Sequence, residues 1–282
     1  MSVTVFSATR CALGEGPMWH PERAELFWFD ILGKRLHAKG AGGERNWQFD
    51  EHISAAGRID RETLLIASET GLYRFDIGSG ERSLVVALEA DNPVTRSNDG
   101  RADPWGGFWI GTMGKTAERG AGAIYRFYRG ELQKLIADVT ISNSICFRAD
   151  RSAAFYTDTR IGRIMRQPLA AADGWPEGEP EVFLDLGHND ALGVDGSVMD
   201  SEGCLWNAQW GASRVERYAP DGRLLETVGV PTSQASCPAF GGDDLKTLYI
   251  TTAADGVKDD EAGKTYGTRI DVAGLADPEV VA

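Results

Sequence analysis

Short apolar segments, each closed by small or polar residues, recur along the chain as Leu26-Phe27-Trp28-Phe29-Asp30, Leu64-Leu65-Ile66-Ala67-Ser68, Phe108-Trp109-Ile110-Gly111-Thr112, Phe155-Tyr156-Thr157-Asp158, Leu205-Trp206-Asn207-Ala208 and Leu248-Tyr249-Ile250-Thr251-Thr252. With Trp28, Ile66, Trp109, Tyr156, Trp206 and Tyr249 as markers, the spacings are 38, 43, 47, 50 and 43 residues. Each interval is the length of one four-stranded propeller blade. Polar turns such as Asp103-Pro104-Trp105-Gly106 and Asp200-Ser201-Glu202-Gly203 precede the markers, and another apolar stretch precedes the turn, which predicts a hairpin. After the marker, segments such as Gly71-Leu72-Tyr73-Arg74-Phe75 and Ser213-Arg214-Val215-Glu216-Arg217-Tyr218 alternate with the two-residue period of a third strand.

The pattern predicts an all-β fold: a six-bladed β-propeller with four-stranded blades around a central channel, formed as a single domain over residues 1–282. The Gly-His and Trp-Asp signatures of WD40 blades are missing, as are the helical periods of solenoids. A blade cannot bury both faces alone and an open ring would expose strand edges, so residues 2–7 are expected to close the ring by pairing with the last blade. The Gly/Pro/Glu-rich stretch 173–181 is expected to be a long surface turn.

Composition agrees, since 34 Gly and 11 Pro supply turns while 8 Trp, 11 Phe and 7 Tyr favour strands. The formal net charge is -13 and Lys and Arg nowhere cluster, which argues against a nucleic-acid partner. The first residues lack a basic start followed by an apolar run, and no apolar run reaches the roughly 20 residues of a membrane span, so no membrane association and a cytoplasmic location are expected. Cys11, Cys146, Cys204 and Cys237 are scattered without a Cys-x-x-Cys pair, as for buried reduced thiols.

Candidate chemistry emerges from counting back from the markers. Glu15 lies 13 residues before Trp28, Asn98 11 before Trp109, Asn143 13 before Tyr156 and Asp195 11 before Trp206. These side chains share nearly one position at the start of the first strand of four blades, and first strands line the channel. Taken singly, Asn98 and Asp195 are also ordinary turn formers beside glycine. The shared register and Glu15, which is no turn former, point instead to convergence on the axis. Carboxylates meeting in a partly buried channel need a compensating charge, and an all-oxygen donor set without Cys or His favours a hard ion such as Ca²⁺, Mg²⁺ or Mn²⁺.

Leu13-Gly14-Glu15-Gly16-Pro17 with Trp19 and His20, then Arg96-Ser97-Asn98-Asp99-Gly100 with Asp103-Pro104, Gly107, Trp109 and Gly111-Thr112-Met113, resemble the senescence marker protein/gluconolactonase/luciferin-regenerating-enzyme family, which includes regucalcin. Ile141-Ser142-Asn143-Ser144, Tyr156-Thr157-Asp158, Asp195-Gly196, the run Asp200 to Trp206 and Phe240-Gly241-Gly242 continue the likeness over nearly the whole chain. The resemblance implies a six-bladed propeller that hydrolyses a sugar (aldono) lactone with one divalent metal (Ca²⁺, Mg²⁺, Mn²⁺ or Zn²⁺, with Ca²⁺ foremost). It implies metal ligands at Glu15, Asn143 and Asp195, substrate contacts at Arg96, Asn98 and Glu118, and a catalytic proton-accepting role for Asp195. The family usually has Asn-Gly where this chain has Asn143-Ser144, and Pro-Asp-Gly where it has Val194-Asp195-Gly196. A non-catalytic calcium-binding regulator of regucalcin type would use the same ligands, and a protein-interaction propeller would need none. A serine-hydrolase route is disfavoured, because no Gly-x-Ser-x-Gly elbow is present and His20, His37, His52 and His188 form no triad pattern. His20 is expected in a hairpin turn and His188 in a surface loop.

Overall fold

The computed structural model describes residues 3–187, 189 and 192–282. Its regular elements are 24 strands in six four-stranded antiparallel sheets. After β1 (Thr4–Ser7), blade one comprises β2 (Gly14–His20), β3 (Glu25–Asp30), β4 (Arg35–Gly40) and β5 (Gly43–Gln48), and blade two β6 (Ile53–Arg58), β7 (Thr63–Ser68), β8 (Gly71–Asp76) and β9 (Arg82–Ala87). Blade three is β10 (Thr95–Ala102), β11 (Phe108–Gly114), β12 (Gly122–Tyr128) and β13 (Glu131–Val139), and blade four β14 (Ser142–Phe147), β15 (Ala153–Asp158), β16 (Arg163–Pro168) and β17 (Glu181–Asp185). Blade five is β18 (Gly193–Met199), β19 (Leu205–Trp210), β20 (Arg214–Tyr218) and β21 (Leu224–Gly229), and blade six β22 (Ala235–Gly241), β23 (Thr247–Thr252), β24 (Thr265–Arg269) and, as its fourth strand, β1.

The markers fall on the second strand of each blade, where neighbouring blades cover both faces. Trp28, Trp109 and Trp206 are wholly buried there and form part of the apolar layers between sheets. Outer strands such as β9, β17 and β21 are largely exposed, so an apolar run is not required of them. Residues 173–180 lie between β16 and β17, at the edge of blade four, and Glu181 opens β17.

The ring closes as expected of the N-terminal strand: Thr4 pairs with Gly267, Val5 with Tyr266 and Ser7 with Thr265. Phe6 from this strand meets Tyr249 of blade six edge-on at 4.7 Å and Trp28 of blade one at 6.3 Å, while Lys39 Nζ donates to its carbonyl at 2.7 Å. Closure thus joins the last blade to the first through packing as well as backbone bonds.

Every innermost strand carries a β-bulge near its start, with the ladder slipping between Glu15 and Met18, Ile53 and Ala55, Ser97 and Gly100, Asn143 and Cys146, Val194 and Ser197, and Ala235 and Cys237. A bulge breaks the two-residue alternation and turns successive side chains towards the same side. Gly16 illustrates the constraint in blade one: its φ is 52°, and a Cβ there would stand 2.3 Å from the Ser54 carbonyl oxygen.

The four cysteines are free and buried, as expected. The expectation for His20 needs correction. It is the last residue of β2, paired with Glu25 and fully buried, with Nε2 at 3.2 Å from the Asp60 carbonyl oxygen, and the turn follows it. Its ring packs beside Phe27, which a turn residue would not do. His188 lies outside the described residues. Among the described residues no helix is long and apolar enough to cross a membrane.

Removing the Phe6 ring takes out the hydrophobic contact that joins the closing strand to blades six and one. Phe6→Ala is therefore expected to lower unfolding free energy by about 2 kcal/mol, below the value for a fully buried Phe because this ring is only partly buried. Urea unfolding measures it, and an unchanged midpoint would show that the packing of Phe6 adds nothing to closure.

Candidate functional site

The innermost strands of blades one, three, four and five bring Glu15, Arg96, Asn98, Asn143 and Asp195 to a cavity of about 410 Å³ at one mouth of the channel. All five are at most 6% exposed. The register explains the two spacings: Glu15 and Asn143 stand just before their bulges, opposite Phe29 and Thr157, whereas Asn98 and Asp195 lie within theirs. Nearer the mouth the lining mixes apolar Leu13, Leu32, Leu192 and Trp210 with polar Lys115, Thr116, Arg160, Asn189 and Asp255.

Amide orientation at the site is set by a relay across three blades. Arg96 Nη1 donates to Asn98 Oδ1 at 2.7 Å and to the Ser97 carbonyl at 2.9 Å. Asn98 Nδ2 donates to the Ser142 carbonyl at 2.8 Å and to Asn143 Oδ1 at 3.2 Å. Asn143 Nδ2 in turn donates to Thr159 Oγ1 at 2.9 Å, and that hydroxyl donates to the Val194 carbonyl at 2.7 Å. With both sides of the Asn143 amide specified, its Oδ1 is the atom that can serve as an oxygen donor to the cavity.

The departure at Ser144 has a structural reason. This residue takes φ 61°, a left-handed conformation that favours glycine. Its hydroxyl donates to the Asp195 carbonyl at 2.7 Å and lies 2.8 Å from Ser197 Oγ, tying the bulge beside Asn143 to the bulge holding Asp195. These buried bonds offset the backbone strain. Asn207 Nδ2 supports the same carbonyl at 2.8 Å.

Electrostatics mark the site more strongly than geometry alone. Glu15 and Asp195 face each other closely enough that each influences the other's ionisation. Burial, with Asp99 adding repulsion, pushes Glu15 up to about 8. Burial and the charges of Glu15 and Asp99 push Asp195 well above the usual carboxylate range. Burial also lowers Arg96 to about 10. Without a cation, the folded protein keeps protons on acids that water would ionise. Two carboxylates and a fixed amide oxygen around one cavity form an all-oxygen set of the kind that suits a hard divalent ion.

Sequence reasoning missed Asp99. It lies behind the cavity, accepts the Ile145 N–H on Oδ2 at 2.7 Å and is raised to about 6 by burial. Strict alternation would turn Asp99 away from the side that Asn98 faces, but the bulge in β10 keeps both inward. Trp210 was missed too, since a Trp ending an apolar strand reads as core. Glu118 is placed differently from the other expected residues. It is exposed, its carboxylate accepts from Thr116 Oγ1 at 2.6 Å and Thr116 N at 3.1 Å, and it does not line the cavity, although its loop neighbours Lys115 to Ala117 do.

A ring of six antiparallel sheets with acidic and amide side chains gathered at one channel mouth defines a six-bladed β-propeller with a polar axial site. Residues 13–254 match the model of the SMP-30/Gluconolactonase/LRE-like region, and the chain belongs to this family. It is 35% identical over 281 residues to the 6-deoxy-6-sulfogluconolactonase of Pseudomonas putida, covering 94% of each protein. It is 36% identical over 289 residues to the L-arabinolactonase of Azospirillum brasilense, covering 97% of this chain and 93% of that one. Among solved structures, regucalcin from Agrobacterium tumefaciens strain C58, described as a calcium-binding protein, superposes with a TM-score of 0.96 at 40% identity, covering 100% of this chain and 98% of that one.

The raised Glu15 predicts a pH dependence in metal-free protein. An unfolded glutamate ionises near 4.5, whereas Glu15 in the fold holds its proton to about 8, so the folded state binds the extra proton between these values. Stability of the chelated protein is expected to fall as pH rises through this window. Glu15→Gln should flatten the fall and raise stability at the alkaline end by on the order of 1 kcal/mol. Thermal unfolding in chelator across pH measures both, and a wild-type profile in the variant would rule out crowding of these acids.

Proposed function

We propose that this protein hydrolyses a sugar (aldono) lactone to the open-chain aldonic acid with the help of one divalent metal. The observation that carries the reading is the convergence of Glu15, Asn143 and Asp195 on one cavity, beside Arg96 and Asn98. The lactonases among its relatives support the substrate class.

Glu15, Asn143 and Asp195 are the residues that would hold the ion, because they present oxygen donors and because, of the two acids, Arg96 eases only Glu15 while Asp195 faces the charges of Glu15 and Asp99. Once bound, a divalent cation supplies Lewis-acid polarisation of the ester carbonyl and stabilises negative charge developing on its oxygen. The chain's own residues do the rest. Asp195 takes a proton from the attacking water through a carboxylate oxygen. Arg96 contributes N–H donors beyond the Nη1 group that grips Asn98, and these orient sugar hydroxyls or the ring oxygen. Asn98 acts on the substrate side and also fixes the Asn143 amide. Leu13, Leu32, Leu192 and Trp210, the apolar share of a mixed lining, pack on the C–H faces of the sugar. Glu118 has no part in this reading because its carboxylate turns onto Thr116.

The test is a pH-indicator assay over a panel of aldonolactones, with and without chelator. Acid release that stops on chelation and returns with Ca²⁺, Mg²⁺ or Mn²⁺ is expected. Glu15→Gln, Asn143→Ala and Asp195→Asn should each lower kcat/KM by roughly 100-fold or more. Cation binding without turnover on any lactone would favour a calcium-binding regulator instead, and full activity in all three variants would remove the proposed site.

A further inference from the structure

The last stretch of the chain, residues 271–282, leaves β24 and crosses the end of the ring opposite the candidate site. Ser201 N donates to the Ala273 carbonyl at 2.8 Å and Gly274 N to the Leu245 carbonyl at 2.8 Å, anchoring its start on blades five and six. Val280 N donates to the Arg58 carbonyl at 2.7 Å and Val281 N to the Gly106 carbonyl at 2.8 Å, anchoring its end on blades two and three. Val280 is 2% exposed and packs into the apolar layer between those blades. Between the two anchorages stands Asp277, whose Oδ1 accepts from Arg101 Nη1 at 2.8 Å.

Arg101 projects from β10 into the interior and uses its other groups on the two inner strands that carry Asn143 and Asp195. Its Nε donates to the Ile145 carbonyl at 3.2 Å and its Nη2 to the Ser197 carbonyl at 3.3 Å. Each carbonyl lies two residues beyond a donor of the candidate site. On the far side of the same residue, Ile145 N donates to Asp99 Oδ2 at 2.7 Å. Ile145 is therefore gripped at N–H by Asp99 and at C=O by Arg101, two residues apart on one strand. The grip demands a planar fork of donors, which a guanidinium provides and an ammonium does not.

We infer that Asp277 is a positioning residue for the oxygen-donor site at the other end of the channel, acting through Arg101. The carboxylate fixes the guanidinium, the guanidinium fixes the inner strands of blades four and five, and these strands set where Asn143 and Asp195 meet. Without Asp277, Arg101 is a buried cation left with the charge of Asp99 as its remaining carboxylate influence, and it relaxes towards Asp99 at the expense of its bonds to Ile145 and Ser197. The inference rests on the proposed cation site for its consequence but not for its geometry.

Two readouts keep the two readings apart. The first is Mn²⁺ affinity by calorimetry on chelator-stripped protein, where Asp277→Asn is expected to weaken binding about tenfold, the size of a lost outer contact to a ligand. The second is hydrogen exchange at the Ile145 amide in chelator, where Asp277→Asn should lose protection relative to wild type. Glu279→Gln removes a neighbouring ion pair to Arg58 from the same stretch without touching Arg101, and should leave both readouts as in wild type. If wild-type protein binds no Mn²⁺, the proposed function fails and the exchange readout alone decides the linkage. Wild-type exchange and affinity in Asp277→Asn overturn the inference, as do equal losses in Glu279→Gln. Should Asp277→Asn not fold, Arg101→Lys keeps the charge without the fork: weaker Mn²⁺ binding with faster Ile145 exchange supports the linkage, and wild-type values overturn it.

Discussion

Acids that repel one another are held together in the interior of this ring, and much of the surrounding structure serves to keep them there. Glu15 and Asp195 line one cavity, with Asp99 near enough to repel both, and burial raises all three above their usual range. Such a cluster would relax by moving apart or admitting water if its strands were free to shift. They are not free, because each strand is the innermost of a sheet whose next strand is locked between blades by side chains such as Trp28, Trp109 and Trp206. Packing at the periphery thus offsets the electrostatic strain at the hub.

Small side chains tie the hub around the axis. Ser236 Oγ donates to the Gly14 carbonyl at 2.5 Å, Ser54 Oγ to Ser97 Oγ at 2.8 Å, Asn98 to the Ser142 carbonyl and Ser144 to the Asp195 carbonyl. Each bond crosses from one blade to another at or beside a bulge. Bulges are what make this possible, since they leave backbone groups outside the ladder and turn successive side chains inward. The same device that delivers functional side chains to the cavity therefore also supplies the bonds that hold the inner strands in place.

The two ends of the described chain have different tasks. β1 completes the edge of blade six and brings Phe6 against blade one, so it closes the outer ring. Residues 271–282 run beneath the ring, seat Val280 in the apolar layer between blades two and three, and place Asp277 against Arg101. Both use apolar packing and backbone bonds, but the second adds a charge partly shielded from water, which carries further in a low-dielectric channel.

Much of this was legible in the chain itself. Six apolar markers at blade-length intervals gave the architecture because each second strand must be apolar on both faces, whereas the outer strands left no signal because solvent covers them. Glu15, Asn98, Asn143 and Asp195 could be picked out because their distances to the markers repeat. Local sequence could not determine that Asp99 faces inward, that Glu118 turns onto Thr116, that Ser144 replaces a glycine by bonding across blades, or that Asp277 meets Arg101. Those outcomes depend on bulges and on contacts between residues as far apart as β10 and the last segment. Periodicity reports which faces are buried, but only the closed ring decides which side chains meet at its axis.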